Sequence, residues 1–162
     1  MTIAVIADTH LPRGTRRIPE ACLARLRVAD LILPAGDVTA ASVLGELEAL
    51  GSPVQAVHGN MDDAVLRAQL PRTLVVEVGE LRIGMTHDAG PRVAREERLV
   101  RRFPGCAAIV YGHTHEPQAT RVGETWILNP GSPTERRRAP AHTMLVLDVA
   151  DGTISPELIQ LA

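Results

Sequence analysis

Thr2–His10 reads TIAVIADTH, a largely apolar run that stops on an aspartate, a threonine and a histidine. Residues 2–7 read as a buried strand. The same event recurs along the chain. LILPAG (31–36) runs into Asp37, PVQAV (53–57) into His58-Gly59-Asn60, LRIGMT (81–86) into His87, and AAIVYG (107–112) into His113-Thr114-His115. Each strand delivers metal-competent side chains at its C-terminal end, where α/β sheets build their sites. Gly36, Gly59 and Gly112 sit at these exits, which predicts sharp backbone turns there.

Helical spacing fills the intervals: Pro19–Ala29, Ala41–Leu50, Asp62–Leu70 and Arg92–Phe103. Asp62 is expected to cap the third of these and to favour its dipole. Thr73–Val78 and Leu81–Met85 flank Gly79-Glu80 as a hairpin, and strands follow at Gln118–Val122, Thr125–Leu128, Thr143–Val149 and Thr153–Gln160. Pro130–Pro140 is the one loop-like linker. A β-α-β-α-β first half followed by hairpins predicts an α/β (α+β) fold of mixed sheets with helices outside, for which a β-sandwich flanked by helices is one solution. A chain of 162 residues predicts a single domain over 1–162.

Composition narrows the function. The hydrophobic fraction is 45%, charged residues make up 22%, and 17 basic against 19 acidic residues leave a net charge of −2. That is the balance of a globular chain with a core, without the basic excess of a general nucleic-acid binder. One Trp, one Tyr and one Phe provide no base-stacking platform. All 17 basic residues are arginine, which excludes P-loop NTPases, lysine Schiff-base enzymes and ordinary protein kinases. Cys22 and Cys106 have no CxxC spacing and read as core thiols of a reducing compartment. The first residues are too short an apolar run for a signal peptide, and no run approaches a membrane span; a cytoplasmic setting is expected.

The strand-end set holds two carboxylates (Asp8, Asp37), four imidazoles (His10, His87, His113, His115) and one amide oxygen (Asn60). Seven donors are too many for one tetrahedral ion and suit two metals sharing a carboxylate. Mixed N/O donors without thiolate favour manganese, with iron, zinc, nickel or cobalt as alternatives, over calcium or magnesium. Two divalent ions against two carboxylates leave a positive site that attracts phosphate.

Asp8-x-His10, Gly36-Asp37, Gly59-Asn60-x-Asp62, a lone His87 after a strand, Gly112-His113-Thr114-His115 and Asn129-Pro130-Gly131-Ser132 occur in that order. The series resembles the motifs of calcineurin-like metallophosphoesterases, in particular the small YfcE-like phosphodiesterases and the related Vps29 group. The resemblance implies a four-layer fold, two mixed β-sheets in a sandwich flanked by helices. It implies that Asp8, His10, Asp37 and His115 bind one metal, that Asp37 bridges, and that Asn60, His87 and His113 complete the second site. The implied activity is hydrolysis of a small phosphoester, a diester before a monoester, by a water activated between two metals; Asp37, Asn60 and His113 act through that water. The competing class is a non-catalytic scaffold of the Vps29 kind that retains a metal site. A scaffold is free to lose a ligand, and here all seven are present.

Around this set, Asp62 is expected either to cap a helix or to bond behind a ligand. Arg13 and Arg136, the first of the Arg136–Arg138 run, are the substrate-contact candidates, because guanidinium pairs bidentately with phosphate. Two positions depart from the family pattern. Met61 stands where many relatives carry a histidine after the asparagine, and Asp88-Ala89 where YfcE-like sequences commonly place Gly-His. Both departures remove general acids, leaving His58 as the one nearby imidazole able to donate a proton. A homo-oligomer is compatible with the sequence; a membrane partner is not expected.

Overall fold

The computed structural model describes residues 1–161; Ala162, the end of the expected domain, lies outside the described residues. Strand β1 (Thr2–Ile6) is the centre of the architecture. It pairs in parallel with β2 (Leu31–Pro34) and antiparallel with β8 (His142–Ala150), which pairs with β9 (Thr153–Leu161), giving the order β2-β1-β8-β9. A strand covered on both faces needs apolar side chains at every position, which is why it reads as a continuous run. Ile3 and Val5 enter the core between the sheets, with Met85, Val110 and Leu128 opposite. Ala4 and Ile6 face Cys22 and Leu26 of α1 (Glu20–Val28), Leu44 and Leu47 of α2 (Ala41–Glu48), and Leu66 of α3 (Ala64–Gln69).

The second sheet has the order β3-β4-β5-β7-β6, from β3 (Thr73–Val78), β4 (Leu81–Thr86), β5 (Ala108–Val110), β6 (Gln118–Val122) and β7 (Thr125–Asn129). Its outer face is covered by α4 (Arg95–Arg102), where Leu99 packs with Phe103, Ile109, Tyr111 and Ile127. Helices, sheet, sheet and helix therefore form four layers, as the resemblance implied. Within the sheets β1 and β2 run parallel, and so do β4 and β5. The loops leaving these four strands carry Asp8, Asp37, His87 and His113.

Three expectations need correction. Residues 53–57 form no regular strand; Val54 and Val57 make isolated parallel bridges to Ile32 and Ala35. Pro53 has no N–H for the ladder and Gln55 turns its side chain to solvent, so the segment lies beside β2 as an irregular edge. The helix read from Asp62 begins at Ala64, and its cap is Asp63, whose carboxylate accepts from Leu66 N. The helix read from Arg92 begins at Arg95, because Ala94 takes a left-handed φ of 52°.

Candidate metal centre

Two groups of ligand-competent side chains meet at the strand ends: Asp8, His10 and His115, and Asp37, His87 and His113. In the first, His115 Nε2 lies 3.3 Å from Asp8 Oδ1 and His10 Nε2 lies 3.7 Å from it. In the second, His87 Nε2 is 3.2 Å from Asp37 Oδ2, and Asn60 Oδ1 is 3.2 Å from His87 Nε2 and 3.1 Å from His113 Nδ1. Asp37 Oδ2 is also 3.6 Å from His10 Nε2, so this one oxygen stands between the groups. All seven donors expected from the sequence are gathered here.

Four of the donors are aimed by a bond on the other side. His87 Nδ1 donates to Ala35 O at 2.8 Å, which points its Nε2 at two oxygens. His115 Nδ1 donates to the Glu135 carbonyl in the same way. His113 N donates to Asp8 Oδ2 at 2.9 Å and Met61 N to Asp37 Oδ1 at 2.8 Å, freeing one oxygen of each carboxylate for the cleft. Asp62 does not cap; its buried carboxylate accepts from Gly59 N at 2.6 Å, Asp37 N at 3.2 Å and Thr39 N at 2.7 Å, tying the Asp37 and Asn60 loops together.

The backbone is strained at these places. Asp8, His10, Asp37, His113 and His115 have φ of 58°, 46°, 53°, 71° and 60°, a region that costs a non-glycine residue about 1–3 kcal/mol. The glycines turn out to serve two purposes. Gly36 has a φ of 92°, as a sharp turn requires, whereas Gly59 has an ordinary φ and is needed because a Cβ there would strike Asp37, 2.6 Å from its N. Close approach, more than turning, fixes that position.

Electrostatics follow from burial. Burial alone would raise the Asp8 carboxyl, but the imidazoles of His10 and His115 close to it and the charge of His87 hold it at about 2. Burial would likewise depress the His87 imidazole, but Asp37 and Asp8 raise it to about 9. Asp8 Oδ1, His10 Nε2 and His115 Nε2 are buried and have no hydrogen-bond partner among the described residues. Buried polar atoms left unpaired are costly, and here all three converge on one point. A cation with N/O preference satisfies them, so the residues fit divalent metal ions.

Residues 1–152 match the calcineurin-like phosphoesterase superfamily domain. The chain belongs to that superfamily. It is 37% identical over 162 residues to a probable metallophosphoesterase of Methanothermobacter thermautotrophicus, covering 99% of this chain and 92% of the relative. Among solved structures it resembles wild-type Vps29 of Entamoeba histolytica complexed with zinc, at a TM-score of 0.77 and 25% identity over 99% of each chain. It also shares the fold of a novel archaeal phosphodiesterase, at a TM-score of 0.73 and 19% identity, covering 98% of this chain and 100% of that one. Membership makes the protein a metallophosphoesterase, a hydrolase of phosphoesters, and with two ligand groups implies divalent metals.

The remaining expectations sort differently around this phosphoesterase centre. Arg13 is 67% exposed and its guanidinium pairs with Glu135 at 3.2 Å. Arg136 is exposed and donates to Ala139 O at 2.8 Å, back within its own loop. His58 is half-buried, with Nδ1 3.4 Å from Gly59 O. Met61 is 58% exposed, so only its backbone serves the site. Asn129 and Ser132 are fully buried and brace the loops instead of facing the cleft: Asn129 Nδ2 donates to Gly112 O at 3.1 Å and Ser132 Oγ to Asp8 O at 2.7 Å. Glu135 was not anticipated. Its carboxylate lies 3.8 Å from His10 Nδ1, on the side away from the donors.

A cavity of about 740 Å³ between α1, α2 and residues 11–18 contains none of the seven donors. A smaller one, of about 320 Å³, opens against Asn60 and His87 and is also lined by His58, Arg67, Arg72 and Asp88.

Proposed function

We propose that the protein is a binuclear metal-dependent phosphodiesterase acting on a small substrate. The observation that carries this reading is the convergence of the unpaired atoms Asp8 Oδ1, His10 Nε2 and His115 Nε2 beside a carboxylate oxygen, Asp37 Oδ2, within reach of both ligand groups. Asp8, His10 and His115 with Asp37 would hold one ion, and Asp37 with Asn60, His87 and His113 the other. Divalent ions so held supply Lewis acidity towards a phosphoryl oxygen and an acidified nucleophilic water. The chain's own part is to fix the donors against solvent and keep both carboxylates ionised, as the low Asp8 value allows.

A diester is favoured over a monoester because a proton donor is missing. A dianionic monoester calls for one beside its phosphoryl oxygens, and the chain has an exposed Met61 and an Asp88 where such donors are expected. The likeness in fold to an archaeal phosphodiesterase supports the same choice. The N/O donor set favours manganese; zinc is the first alternative, given the zinc complex of the Entamoeba relative. Buried free Cys22 and Cys106 support a reducing, cytoplasmic setting.

The test is a metal-by-substrate panel on chelator-stripped, reconstituted protein with an aryl phosphodiester and the matching monoester. Two metal equivalents, highest turnover with manganese and faster diester cleavage are expected. A single equivalent overturns the binuclear reading, and equal or faster monoester cleavage overturns the diester preference.

A further inference from the structure

We propose that the cavity against Asn60 and His87 is a subsite for a second anionic group, so that the preferred substrate is a phosphodiester with a carboxylate or phosphate on one ester arm. This rests on the phosphodiesterase reading and deepens it. The cavity, about 320 Å³, is large enough for an aryl or sugar-sized arm, and one wall of it is made of two residues of the second ligand group. Its other walls carry two guanidiniums, Arg67 from the last turn of α3 and Arg72 from the α3–β3 junction. A backbone bond from His58 N to Pro71 O, 3.0 Å, holds that junction against the Asn60 loop, which places Arg72 beside the centre.

The charge of this cavity is unbalanced. Arg13 and Arg16 are engaged by Glu135, Arg27 by Glu20 and Arg121 by Glu124, whereas among the described residues neither Arg67 nor Arg72 has a carboxylate within ion-pairing distance. Asp88 is the one acidic residue lining the cavity, and its Oδ1 already accepts from Gly90 N at 2.7 Å. Asp63, one turn before Arg67, offsets part of its charge, and Asp88 offsets part of the rest, so the excess positive charge of this cavity centres on Arg72, next to the ligand groups. Guanidinium forks match carboxylate and phosphate geometry and hold them bidentately. The arginines belong to the cavity wall and to neither ligand group, so they recognise the arm, not the scissile phosphorus.

Two esters with the same leaving group isolate this effect: p-nitrophenyl phenyl phosphate and p-nitrophenyl 4-carboxyphenyl phosphate. Arg67 and Arg72 are exposed, so the manganese-loaded wild type should show a KM about two- to fivefold lower for the carboxylated ester, the size of one solvent-exposed charge pair. Arg67→Ala/Arg72→Ala should bring the KM ratio of the two esters towards one, and Arg72→Glu should invert it. Arg121→Ala, on the far strand β6, should keep the wild-type ratio. A binding measurement stands beside turnover: calorimetry with benzylphosphonate and 4-carboxybenzylphosphonate, neither of which has an ester bond to cleave. If neither ester is cleaved under any metal, the phosphodiesterase reading fails while the phosphonate pair still decides the subsite. Equal affinity of the wild type for both phosphonates, or an undiminished preference in the double variant, overturns the proposal.

Discussion

The two ligand groups meet at Asp37, whose Oδ2 stands between them, and both are strained at the backbone, yet they differ in exposure and support. Asp8, His10 and His115 are all buried, and all have left-handed φ. They are clamped from behind by Ser132 on Asp8 O, by Thr134 Oγ1 on Thr9 O at 2.6 Å, and by the Glu135 carbonyl on His115. The second group is half open: Asp37 and His87 are buried, but Asn60 and His113 reach solvent, and the cavity begins at Asn60 and His87. A buried, strained and prepaid arrangement suits an ion that stays. An open one suits an ion that exchanges and meets the substrate. Binding a cation relieves unpaired ligand atoms only where they exist, and the three such atoms among the described residues lie in the first group.

Removing the shared carboxylate should erase this difference most completely. Asp37→Ala is expected to lose both metal equivalents and to lower kcat/KM by at least about 10³-fold, since the centre's charge stabilisation is worth several kcal/mol. His115→Ala should instead leave one equivalent, bound weakly at the open group, and Asn60→Ala one bound tightly at the buried group. Elemental analysis with a chelator titration reads all three. If His115→Ala and Asn60→Ala retain ions of equal affinity, the contrast between the groups is wrong.

Glu135 sharpens the contrast from outside. Its carboxylate faces His10 Nδ1 at 3.8 Å and is itself held by Arg13 and Arg16 at 3.2 and 3.3 Å. Partners behind a ligating histidine typically contribute about 10–100-fold in metal affinity. Glu135→Gln should therefore weaken the tight equivalent by about tenfold and leave the loose one unchanged. Equal weakening of both equivalents would mean that Glu135 acts on the centre as a whole.

His87 sets a pH dependence for the open group. In metal-stripped protein its imidazole is raised from 6.5 to about 9 by Asp37 and Asp8 against the opposing effect of burial. A raised folded-state value means that the proton stabilises the fold in full below pH 6.5 and ceases to do so as pH climbs through about 9. The stripped protein should lose thermal stability across that window, and His87→Asn should flatten the profile. Metal ligation requires the neutral imidazole, so loading below pH 9 should release a proton, visible in calorimetry across buffers of different ionisation enthalpy. An unchanged profile in His87→Asn would remove His87 as its source.

Much of this was legible because it is local. A strand's apolar run and the residues that end it are neighbours in sequence, so TIAVIADTH and its four counterparts announce both the layers and the donors. What was missed depends on chain segments meeting from afar. Glu135 reaches His10 across 125 positions, and Arg72 is brought beside the Asn60 loop by the His58–Pro71 bond. Asp62 and Asp63 show the limit at short range. Both can cap a helix, and which one does so is decided by the three backbone N–H groups that Asp62 finds, one in its own loop and two in the Asp37 loop. The left-handed φ values carry only a weak residue-type signal: aspartate and histidine are enriched in that region, but most of them lie outside it, and the surrounding fold decides which do not.

The smallest expected effect concerns His58, which lines the open side without belonging to either group. General-acid assistance is worth about 10²–10⁴-fold, and where it is missing the rate depends steeply on how stable the departing oxygen is as an anion. Met61 is turned to solvent and Asp88 is tied to Gly90 N, so neither is placed to supply the proton. His58 has its Nδ1 turned to the neighbouring Gly59 carbonyl at 3.4 Å, an interaction that draws the ring along its own loop. Diesters of graded leaving-group pKa should therefore give a steep dependence in the wild type, with nitrophenolate favoured over alkoxides. His58→Ala should change the slope little and the rates by less than about tenfold. A shallow wild-type slope that steepens in His58→Ala would identify His58 as the proton donor. The open group would then contain an acid as well as a metal site, and its difference from the buried group would extend to proton transfer.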